Sequence, residues 1–323
     1  MFEKLFNNEL SEQEARAFLI ELYKKGERAE DIAEAAKIMR EHSIKLPISK
    51  NLQEKLIDVV GTGGDKSGSF NVSSTVALLL PSLGSYVAKH GNRSITSKSG
   101  SADMLEALGI ELDLTPEKQV EILQKCGFCF IFAKNHHPVM KHIMPIRKSI
   151  PHRTIFNILG PLTNPAGAKK YLLGVFDKEF VPKLAEALKE LGAKKALVVS
   201  SEEGMDEISI SGKTYVAELN NGHITYYEIA PEDYGLQRAS FESILGGDAI
   251  ENAEITRAIL SGEESGPKRD MVLLNAGAAL YVDGKASSIR EGVEMAMEAI
   301  KSGKAQEKLN QIIQVSKELL HEV

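Results

Sequence analysis

The chain has 323 residues, and at roughly 150 residues per domain this length predicts about two domains with room for a ligand cleft between them. Hydrophobic residues make up 43% and charged residues 26% of the chain, which excludes the disordered, collagenous and fibrous classes. The 39 Lys and Arg residues against 45 Asp and Glu residues give a net charge of -6, which argues against nucleic acid as the main partner.

Membrane and secretion signals are missing from the sequence pattern. No apolar run approaches the roughly 18 residues that a membrane span needs, and residues 1–8 do not resemble a signal peptide, so we expect a cytoplasmic protein without a membrane partner. The two cysteines, Cys126 and Cys129, cannot form the disulfide framework of a small secreted protein. Their spacing occurs in redox proteins, but Cys126 is predicted at the carboxyl end of a helix, where the dipole does not lower a thiol pKa. We therefore expect two buried structural thiols.

The first part of the chain has helical patterns. Ser11 and Glu14 predict a capping box for a helix that Gly26 ends. The next helix carries a narrow apolar stripe of mostly small residues, namely Ile32, Ala33, Ala36 and Met39. Small residues allow close packing against another helix, either within the subunit or across a dimer. We expect a helical domain here.

From Ile57 onward, strand patterns and helix patterns alternate, which predicts an α/β domain with a mostly parallel sheet. The expected strands cover residues 57–60, 85–88, 128–132, 172–176 and 196–200. After Asp206 the pattern predicts an antiparallel meander with strands over 208–211, 214–218 and 224–229 and a hairpin turn at Asn221-Gly222. Two further helices are expected at about 271–282 and 289–300.

A glycine-rich motif, Gly61-Thr62-Gly63-Gly64-Asp65, lies where a predicted strand passes towards a helix, with Asn71-Val72-Ser73-Ser74 just beyond it. Such a junction exposes backbone N–H groups and a helix N-terminus to an anion, and glycine lets a phosphate approach the backbone closely. The motif lacks the endings of the Walker loop and of the dinucleotide fingerprint. By itself it is equally consistent with an ordinary tight turn.

A second polar motif favours the phosphate interpretation. Lys89-His90-Gly91-Asn92-Arg93-Ser94 leads through residues 97–103 into a helix, and this stretch interleaves cations with Gly, Asn and Ser. A solvated run of charges is the alternative. Loops at the carboxyl ends of neighbouring parallel strands face each other, which is where ligands bind in open α/β sheets. The two motifs together therefore predict a pyrophosphate site.

The adjacent acids Asp206 and Glu207 are candidate magnesium ligands, because Mg²⁺ prefers oxygen ligands and often accompanies a bound pyrophosphate. Their side chains would diverge on a regular strand, so joint coordination requires a loop. The cluster of His136, His137 and His142 lacks the spacing of a zinc site, and we expect this segment to line a cleft.

These motifs, in this order, resemble the anthranilate phosphoribosyltransferase family. Three further motifs support the resemblance: Arg153-Thr154-Ile155-Phe156-Asn157, Gly160-Pro161-Leu162-Thr163-Asn164-Pro165 and Met205-Asp206-Glu207-Ile208-Ser209. The resemblance spans most of the chain. It implies transfer of the phosphoribosyl group of phosphoribosyl pyrophosphate (PRPP) to the amine of anthranilate, with these two small molecules as substrates, in tryptophan biosynthesis.

The resemblance also implies a fold like that of nucleoside phosphorylases and phosphoribosyltransferases, with a small helical N-terminal domain hinged to a larger α/β domain that has a mostly parallel central sheet. Residues 1–55 and a later segment, roughly 143–165, would form the helical domain. Residues 56–142 and 166–323 would form the α/β domain that binds PRPP. A homodimer built through the helical domain is expected as well.

The resemblance assigns residues by position. PRPP would bind to Gly61, Thr62, Gly63, Gly64, Asp65, Asn71, Ser74, Lys89 and Ser101. Ser73, Asp206 and Glu207 would hold Mg²⁺, with two ions per subunit. Anthranilate would contact His90, Asn92, Arg147 and Pro161. Lys134 and Met140 depart from the proline and the aromatic residue of some relatives, and both lie along the expected anthranilate path.

Two other interpretations have distinct signatures. A nucleoside phosphorylase shares the architecture and uses phosphate as the nucleophile, but it does not need the acidic pair. A related protein that binds nucleic acid would have a basic surface and a damaged metal motif, whereas this chain has a net charge of -6 and retains Asp206 and Glu207.

Overall fold

The computed structural model describes residues 1–94 and 98–321, so Ser97 of the second motif lies outside the described part. The strands are β1 (Leu56–Gly61), β2 (Tyr86–Gly91), β3 (Phe128–Phe132), β4 (Lys170–Gly174), β5 (Lys195–Ser201), β6 (Thr214–Asn220) and β7 (His223–Ile229). They form one sheet in the order β3-β2-β1-β4-β5-β6-β7. Strands β1 to β5 pair in parallel, and β6 and β7 add an antiparallel edge. The predicted mostly parallel sheet is confirmed.

Helices precede the sheet and cover its faces. The first part of the chain forms α1 (Phe2–Phe6), α2 (Glu12–Lys25), α3 (Ala29–Glu41) and α4 (Lys50–Gln53). The helices between the strands are α5 (Val72–Leu79), α6 (Ser101–Ala107), α7 (Pro116–Cys126), α8 (Ala133–His136), α9 (Met140–Lys148), α10 (Phe156–Leu159) and α11 (Phe180–Glu190). The last helices are α12 (Ala249–Ser261), α13 (Pro267–Asp283), α14 (Ile289–Lys301) and α15 (Lys304–His321). Within the described residues, no helix combines the length and the apolar character that crossing a membrane requires.

The ends of several helices and strands lie where capping and turn residues in the sequence predict them. The Ser11 hydroxyl accepts a hydrogen bond from the Glu14 backbone N–H, and the Glu14 carboxylate accepts one from the Ser11 N–H, so the capping box forms. Helix α7 ends at Gly127, whose φ of 76° is in the left-handed region that favours glycine. Asn221 and Gly222 both have positive φ, which is the backbone of the tight hairpin turn between β6 and β7.

The predicted strand at 208–211 is wrong, because this segment is a loop. The Asn275 side chain on α13 accepts from the Ile208 N–H and donates to the Ile208 carbonyl. A strand partner is therefore not needed to satisfy these backbone groups. The Ser209 N–H donates to the Thr214 hydroxyl, so here too a side chain supplies the hydrogen bond that a neighbouring strand would supply.

The small-residue stripe of α3 is buried within this chain. Ala33 and Ala36 are buried, and α3 packs against α11 of the α/β part. Of the two alternatives left open by the sequence, packing within the subunit accounts for the stripe. It therefore does not support a dimer interface at these residues.

The two cysteines are free and buried, as predicted. Burial raises the pKa of the Cys126 thiol and of the Cys129 thiol above the ordinary value, which keeps both protonated. Both thiols are part of the hydrophobic core.

Candidate functional site

The loops that follow β1, β2, β4 and β5 meet at the carboxyl edge of the sheet. Strand β1 lies between β2 and β4, so the chain leaves β1 at the point where the strand order reverses. Open α/β sheets bind ligands at this switch point. The glycine-rich motif begins at the last residue of β1, and the Lys89–Arg93 motif begins within β2 and continues into the loop after it, so the expected juxtaposition of the two loops is confirmed.

Two glycines let Asp206 approach the ends of the central strands. A Cβ atom at Gly61 would lie 2.1 Å from Asp206 Oδ2, and one at Gly174 would lie 1.7 Å from the Asp206 carbonyl oxygen. No other residue type fits at these two positions without displacing Asp206. The approach allows the Gly63 N–H to donate to Asp206 Oδ2 at 2.7 Å.

Asp206 and Glu207 lie in the loop between β5 and β6, as joint coordination requires. Burial raises the pKa of Asp206 to about 7, and the nearby charge of Asp65 adds to the effect. Burial raises the pKa of Glu207 well above its ordinary value, and Asp206 contributes further. Glu207 accepts a hydrogen bond from the Ser73 N–H at 3.1 Å. The two acids are thus held by backbone groups in a site with excess negative charge.

Lys89 is the buried cation of this cluster. Its Nζ donates to the Val59 carbonyl at 2.7 Å and to the Ser73 hydroxyl at 3.3 Å. Burial lowers the pKa of Lys89, while the charges of Asp58, Glu207 and Asp206 act in the opposite direction. Lys89 therefore joins β2 to β1 and to the first turn of α5, beside the two acids.

The residues assigned to Mg²⁺ fit that ion. Asp206, Glu207 and Ser73 offer oxygen ligands within one connected cluster, and neither acid forms an ion pair in the described part of the chain. No group of three or more His, Cys, Asp and Glu side chains among the described residues could hold a metal ion. A site with few protein ligands is what Mg²⁺ uses when waters and substrate phosphates complete its coordination.

The remaining residues assigned to PRPP surround this cluster. Gly63 and Gly64 are exposed and have φ values of 65° and 70°, a conformation that turns successive backbone groups outward. The Asn71 side chain bonds to Ser99 and Asn252, which fixes the first turn of α5. The Ser74 hydroxyl has no hydrogen-bond partner among the residues that the structure describes.

Two other assigned hydroxyl groups are used within the protein. The Thr62 hydroxyl accepts from the Phe176 N–H at 3.3 Å. The Ser101 hydroxyl donates to the Asn92 carbonyl at 3.1 Å, which joins the start of α6 to the loop after β2. These two hydrogen bonds therefore help to fix the loops that follow β1, β2 and β4 at the carboxyl edge of the sheet.

His90 is paired through both ring nitrogens. Its Nδ1 lies 3.0 Å from the Gly160 carbonyl oxygen, and its Nε2 lies 3.2 Å from His137 Nε2. Because a carbonyl only accepts, Nδ1 of His90 carries the hydrogen and its Nε2 accepts from His137. Burial lowers the pKa of His90 well below its usual range and that of His137 to about 4, so both rings are neutral. Neither ring nitrogen of His90 is left to act as a general base.

Arg147 lies on α9 and is half-buried, and burial lowers the pKa of its guanidinium. In the described residues its guanidinium forms no ion pair and no hydrogen bond, so no direct bond joins it to His90, Asn92 or Pro161. A half-buried cation without an anionic partner is available for the carboxylate of a ligand. Asn92 is exposed, whereas Pro161 is buried next to Gly160.

The sequence analysis missed Asp58, a fully buried carboxyl group in the middle of β1. Its Oδ1 accepts from the His90 N–H at 3.3 Å, and its Oδ2 accepts from the Asn164 side chain at 2.8 Å. Burial raises the pKa of Asp58 to about 7. An acid within the apolar strand pattern Ile57-Asp58-Val59-Val60 is the signal that could have identified it.

Comparison with known proteins agrees with this geometry. The family model described as "Glycosyl transferase family, a/b domain" matches residues 53–306. An anthranilate phosphoribosyltransferase of Methanobrevibacter smithii is 49% identical over 312 residues, which cover 97% of this chain and 92% of that protein. The crystal structure of the anthranilate phosphoribosyltransferase from Thermus thermophilus matches with a TM-score of 0.92 and 44% identity, covering 98% of this chain and 93% of that one.

A third comparison involves ligands. The anthranilate phosphoribosyltransferase from Saccharomyces cerevisiae, solved in complex with PRPP and Mg, matches with a TM-score of 0.85 and 31% identity over 95% of this chain and 86% of that one. The family match covers most of the sequence, and the relatives align over nearly all of it. The chain therefore belongs to the anthranilate phosphoribosyltransferase family.

Proposed function

We propose that the carboxyl edge of the sheet is where this chain carries out the reaction of its family. The chain transfers the phosphoribosyl group of 5-phosphoribosyl 1-pyrophosphate to the amine of anthranilate, giving N-(5-phosphoribosyl)anthranilate and pyrophosphate in tryptophan biosynthesis. One observation carries the assignment of the site: the glycine loop meets two half-buried acids at the switch point of the sheet. A nucleoside phosphorylase does not need such a pair of acids.

The glycine loop and the first turn of α5 bind PRPP in this proposal. The exposed backbone of Gly64 faces the phosphates, since the Gly63 N–H already donates to Asp206, and the free hydroxyl of Ser74 adds a donor. Lys89 supplies positive charge from the neighbouring strand. The remaining contacts assigned to PRPP are Gly61, Thr62, Asp65, Asn71 and Ser101.

Ser73, Asp206 and Glu207 hold Mg²⁺, with two ions per subunit. Support comes from the two adjacent carboxyl groups, which lie in one loop beside Ser73 and form no ion pair in the described part of the chain. When bound, Mg²⁺ stabilises negative charge on the leaving pyrophosphate.

Anthranilate is recognised from the other side of the cleft. The planar guanidinium of Arg147 can pair with its carboxylate through two hydrogen bonds. Asn92, Pro161 and the fixed ring of His90 line the path of the amine. The bond from the anomeric carbon to pyrophosphate breaks as the carbon–nitrogen bond forms, and the nitrogen loses its proton afterwards. The protein contributes alignment of the two reactants and electrostatic stabilisation of the leaving group.

Closure of two domains would bring the amine and the anomeric carbon into line. We propose that residues 1–55 and roughly 143–165 move as a helical domain relative to residues 56–142 and 166–323. The Asp58 to Asn164 hydrogen bond joins the end of the later segment to β1, so it lies where such a hinge would act. We also propose that the reaction takes place in the cytoplasm.

A homodimer through the helical domain remains part of the proposal. Because Ala36 is buried within the chain, the interface must use exposed positions such as Lys37 on α3. Sedimentation should give twice the 35.3 kDa of one chain. Lys37→Glu should shift the protein towards monomer, while Lys301→Glu on the exposed face of α14 should not. A parent that sediments as a monomer contradicts the dimer.

The function is tested by mixing the purified protein with anthranilate, PRPP and Mg²⁺ and following the loss of anthranilate fluorescence. We expect the fluorescence to fall only when all three are present. Substitution of inorganic phosphate and a nucleoside for the two substrates tests the phosphorylase alternative. Turnover of that pair, with none of the first, contradicts the proposed function.

A further inference from the structure

A group of lysines lies along the amino edge of the sheet, opposite the candidate site. The neighbouring strands β2, β1, β4 and β5 each begin beside at least one of these lysines. The group, named the lysine edge, consists of Lys55, Lys169, Lys170, Lys194, Lys195 and Lys285. None of them is assigned to PRPP, anthranilate or Mg²⁺.

Two successive lysines lie at the start of β4, and two more lie at the start of β5. Lys170 and Lys195 are the first residues of these strands, and they lie opposite each other in the parallel register. The backbone N–H groups of Lys194 and Lys195 both donate to the Lys169 carbonyl, at 2.8 and 3.4 Å. Strand pairing therefore holds four lysine residues next to one another.

Two further lysines extend the row towards β2. Lys55 comes directly before β1, and its Nζ lies 6.0 Å from the centre of the Tyr86 ring at the start of β2. Lys285 follows α13, and a Cβ atom at Gly84, two residues before β2, would lie 3.7 Å from its Nζ. The lysine edge therefore crosses four adjacent strands, which are roughly 4.8 Å apart.

Three acids lie beside the lysines and offset only part of their charge. Glu54 forms an ion pair with Lys194, and Asp283 forms one with Lys170 at 2.8 Å. Glu218, on the neighbouring strand β6, already accepts hydrogen bonds from two tyrosine hydroxyls. The lysine edge is therefore a positive surface on a chain whose net charge is -6.

Three lysines of the edge have no acidic partner. Lys55, Lys169 and Lys285 form neither an ion pair nor a side-chain hydrogen bond within residues 1–94 and 98–321. Lys55 and Lys285 are exposed, and Lys169 is partly exposed. Cations gathered on one edge repel one another, and an anionic partner removes this repulsion. These three ammonium groups are therefore available to a negatively charged ligand.

We propose that the lysine edge binds an acidic segment of a partner protein, in which several Asp or Glu residues lie close together. The edge spans three interstrand spacings, roughly 14 Å, which an extended segment of about four or five residues can cover. Carboxylates of such a segment pair with the three free ammonium groups. Complementary charge speeds the association and fixes the register of the segment.

The size of the positive surface favours a short acidic segment over nucleic acid. A long nucleic acid would extend beyond the edge onto a surface that carries the negative charge of the chain. The position of the edge also separates it from the reaction, because strands of five to seven residues lie between it and the candidate site. We therefore expect turnover to be the same with and without the bound segment.

The probe is a fluorescein-labelled peptide of eight glutamates, and its binding is followed by fluorescence anisotropy. We expect saturable binding with a dissociation constant below about 1 mM at low ionic strength. Binding should weaken as salt is added, because exposed charges are screened. A labelled peptide of eight glutamines, which has the same length but no side-chain carboxylates, should not bind.

A pair of matched variants locates the binding surface. The test variant removes the three free charges without breaking an ion pair: Lys55→Gln, Lys169→Gln and Lys285→Gln. The control removes the same number of charges from exposed lysines elsewhere: Lys25→Gln, Lys301→Gln and Lys304→Gln. We expect the test variant to bind the glutamate peptide about tenfold more weakly than the parent. The control should bind like the parent, and both variants should turn over anthranilate at the parent rate.

Four results would overturn the inference. The first is no binding of the glutamate peptide at millimolar concentration, and the second is equal weakening in both variants, which would reflect net charge alone. The third is tighter binding of a single-stranded oligonucleotide of equal charge, which would make the partner a nucleic acid. The fourth is a lower sedimentation coefficient for the test variant only, which would assign the lysine edge to a second copy of the chain.

Discussion

Burial shifts the pKa values of side chains on both sides of the candidate site, but in opposite directions. The acidic wall, made of residues 61–65 with Asp206 and Glu207, contains carboxyl groups whose pKa values are raised and whose hydrogen bonds come from backbone N–H groups. The histidine wall, made of His90, His137 and Gly160, contains neutral rings that pair with each other and with a carbonyl. In the proposed function the first wall binds a cation. The histidine rings of the second wall are neutral, so Arg147 would provide the charge that selects an anion.

The largest expected effect comes from removing the charges of the acidic wall. Asp206→Asn with Glu207→Gln keeps the side-chain volumes but removes the carboxylates that hold Mg²⁺. We expect turnover to fall by about a thousandfold or more, with no recovery at ordinary magnesium concentrations. Circular dichroism checks the fold, and Glu294→Gln with Glu298→Gln on the exposed face of α14 is the control. Parent-like turnover of the double variant would make the metal assignment wrong.

Displacing the Asp206 carboxylate without changing its charge is a sharper test of the acidic wall. The Cβ atom introduced by Gly61→Ala would lie 2.1 Å from Asp206 Oδ2, so the carboxylate must shift. We expect kcat/KM for PRPP to fall by about a hundredfold, as small misplacements of catalytic groups do. Gly266→Ala is the matched control, because its Cβ meets the flexible Glu264 carboxylate. Steady-state kinetics in which both variants behave alike would contradict this view of Asp206.

On the other side of the cleft, Arg147→Ala should act on one substrate only. We expect the KM for anthranilate to rise about 10- to 100-fold, which corresponds to roughly 1.5–3 kcal/mol for a charge-assisted hydrogen bond. The KM for PRPP should barely move, because its contacts lie on the acidic wall. Lys148→Ala, which removes the exposed cation next in the chain, is the control. An equal rise in both constants, or no rise in either, counts against the assignment.

Asp58 lies behind both walls, and its titration predicts a pH effect on stability. Its pKa is raised from 3.8 to about 7 by burial. The folded state therefore binds more protons than the unfolded state across this interval, so the free energy of unfolding falls as pH rises through it. Asp58→Asn removes this contribution and should flatten the decline by at most about 1.4 kcal/mol per pH unit. Urea unfolding from acidic to neutral pH measures it, and parallel curves for parent and variant would contradict the role of burial.

The smallest effect is expected away from both walls. Cys126→Ser with Cys129→Ser should leave turnover unchanged, because both thiols are buried and protonated. The free energy of unfolding should fall by about 1–3 kcal/mol per buried hydroxyl. Urea unfolding and steady-state kinetics on the same samples test this. Loss of turnover in a folded double variant would show that the thiols take part in the chemistry.

The sequence predicted the parts of the site that depend on short-range geometry. The glycines of residues 61–65 were identified because a phosphate needs close approach to the backbone, whereas the structure shows a different reason for Gly61, which is the close approach of Asp206. Asp206 and Glu207 were expected in a loop, and the structure places them in one. The network of Asp58, Asn164 and His90 was not predicted, because its members are far apart in the chain and the acid in the apolar strand pattern does not show which residues it bonds to.

Elements whose ends are set by their own neighbours were determined by the sequence alone. The capping box at Ser11 and the turn at Asn221-Gly222 depend on side chains and φ values within a few residues. The tertiary structure decided which two apolar surfaces pack against each other. The stripe at Ala33 could face α11 or another subunit, because periodicity shows which face is buried but not what covers it. The segment 208–211 became a loop because Asn275, 67 residues further on, bonds to the backbone groups that a neighbouring strand would have used.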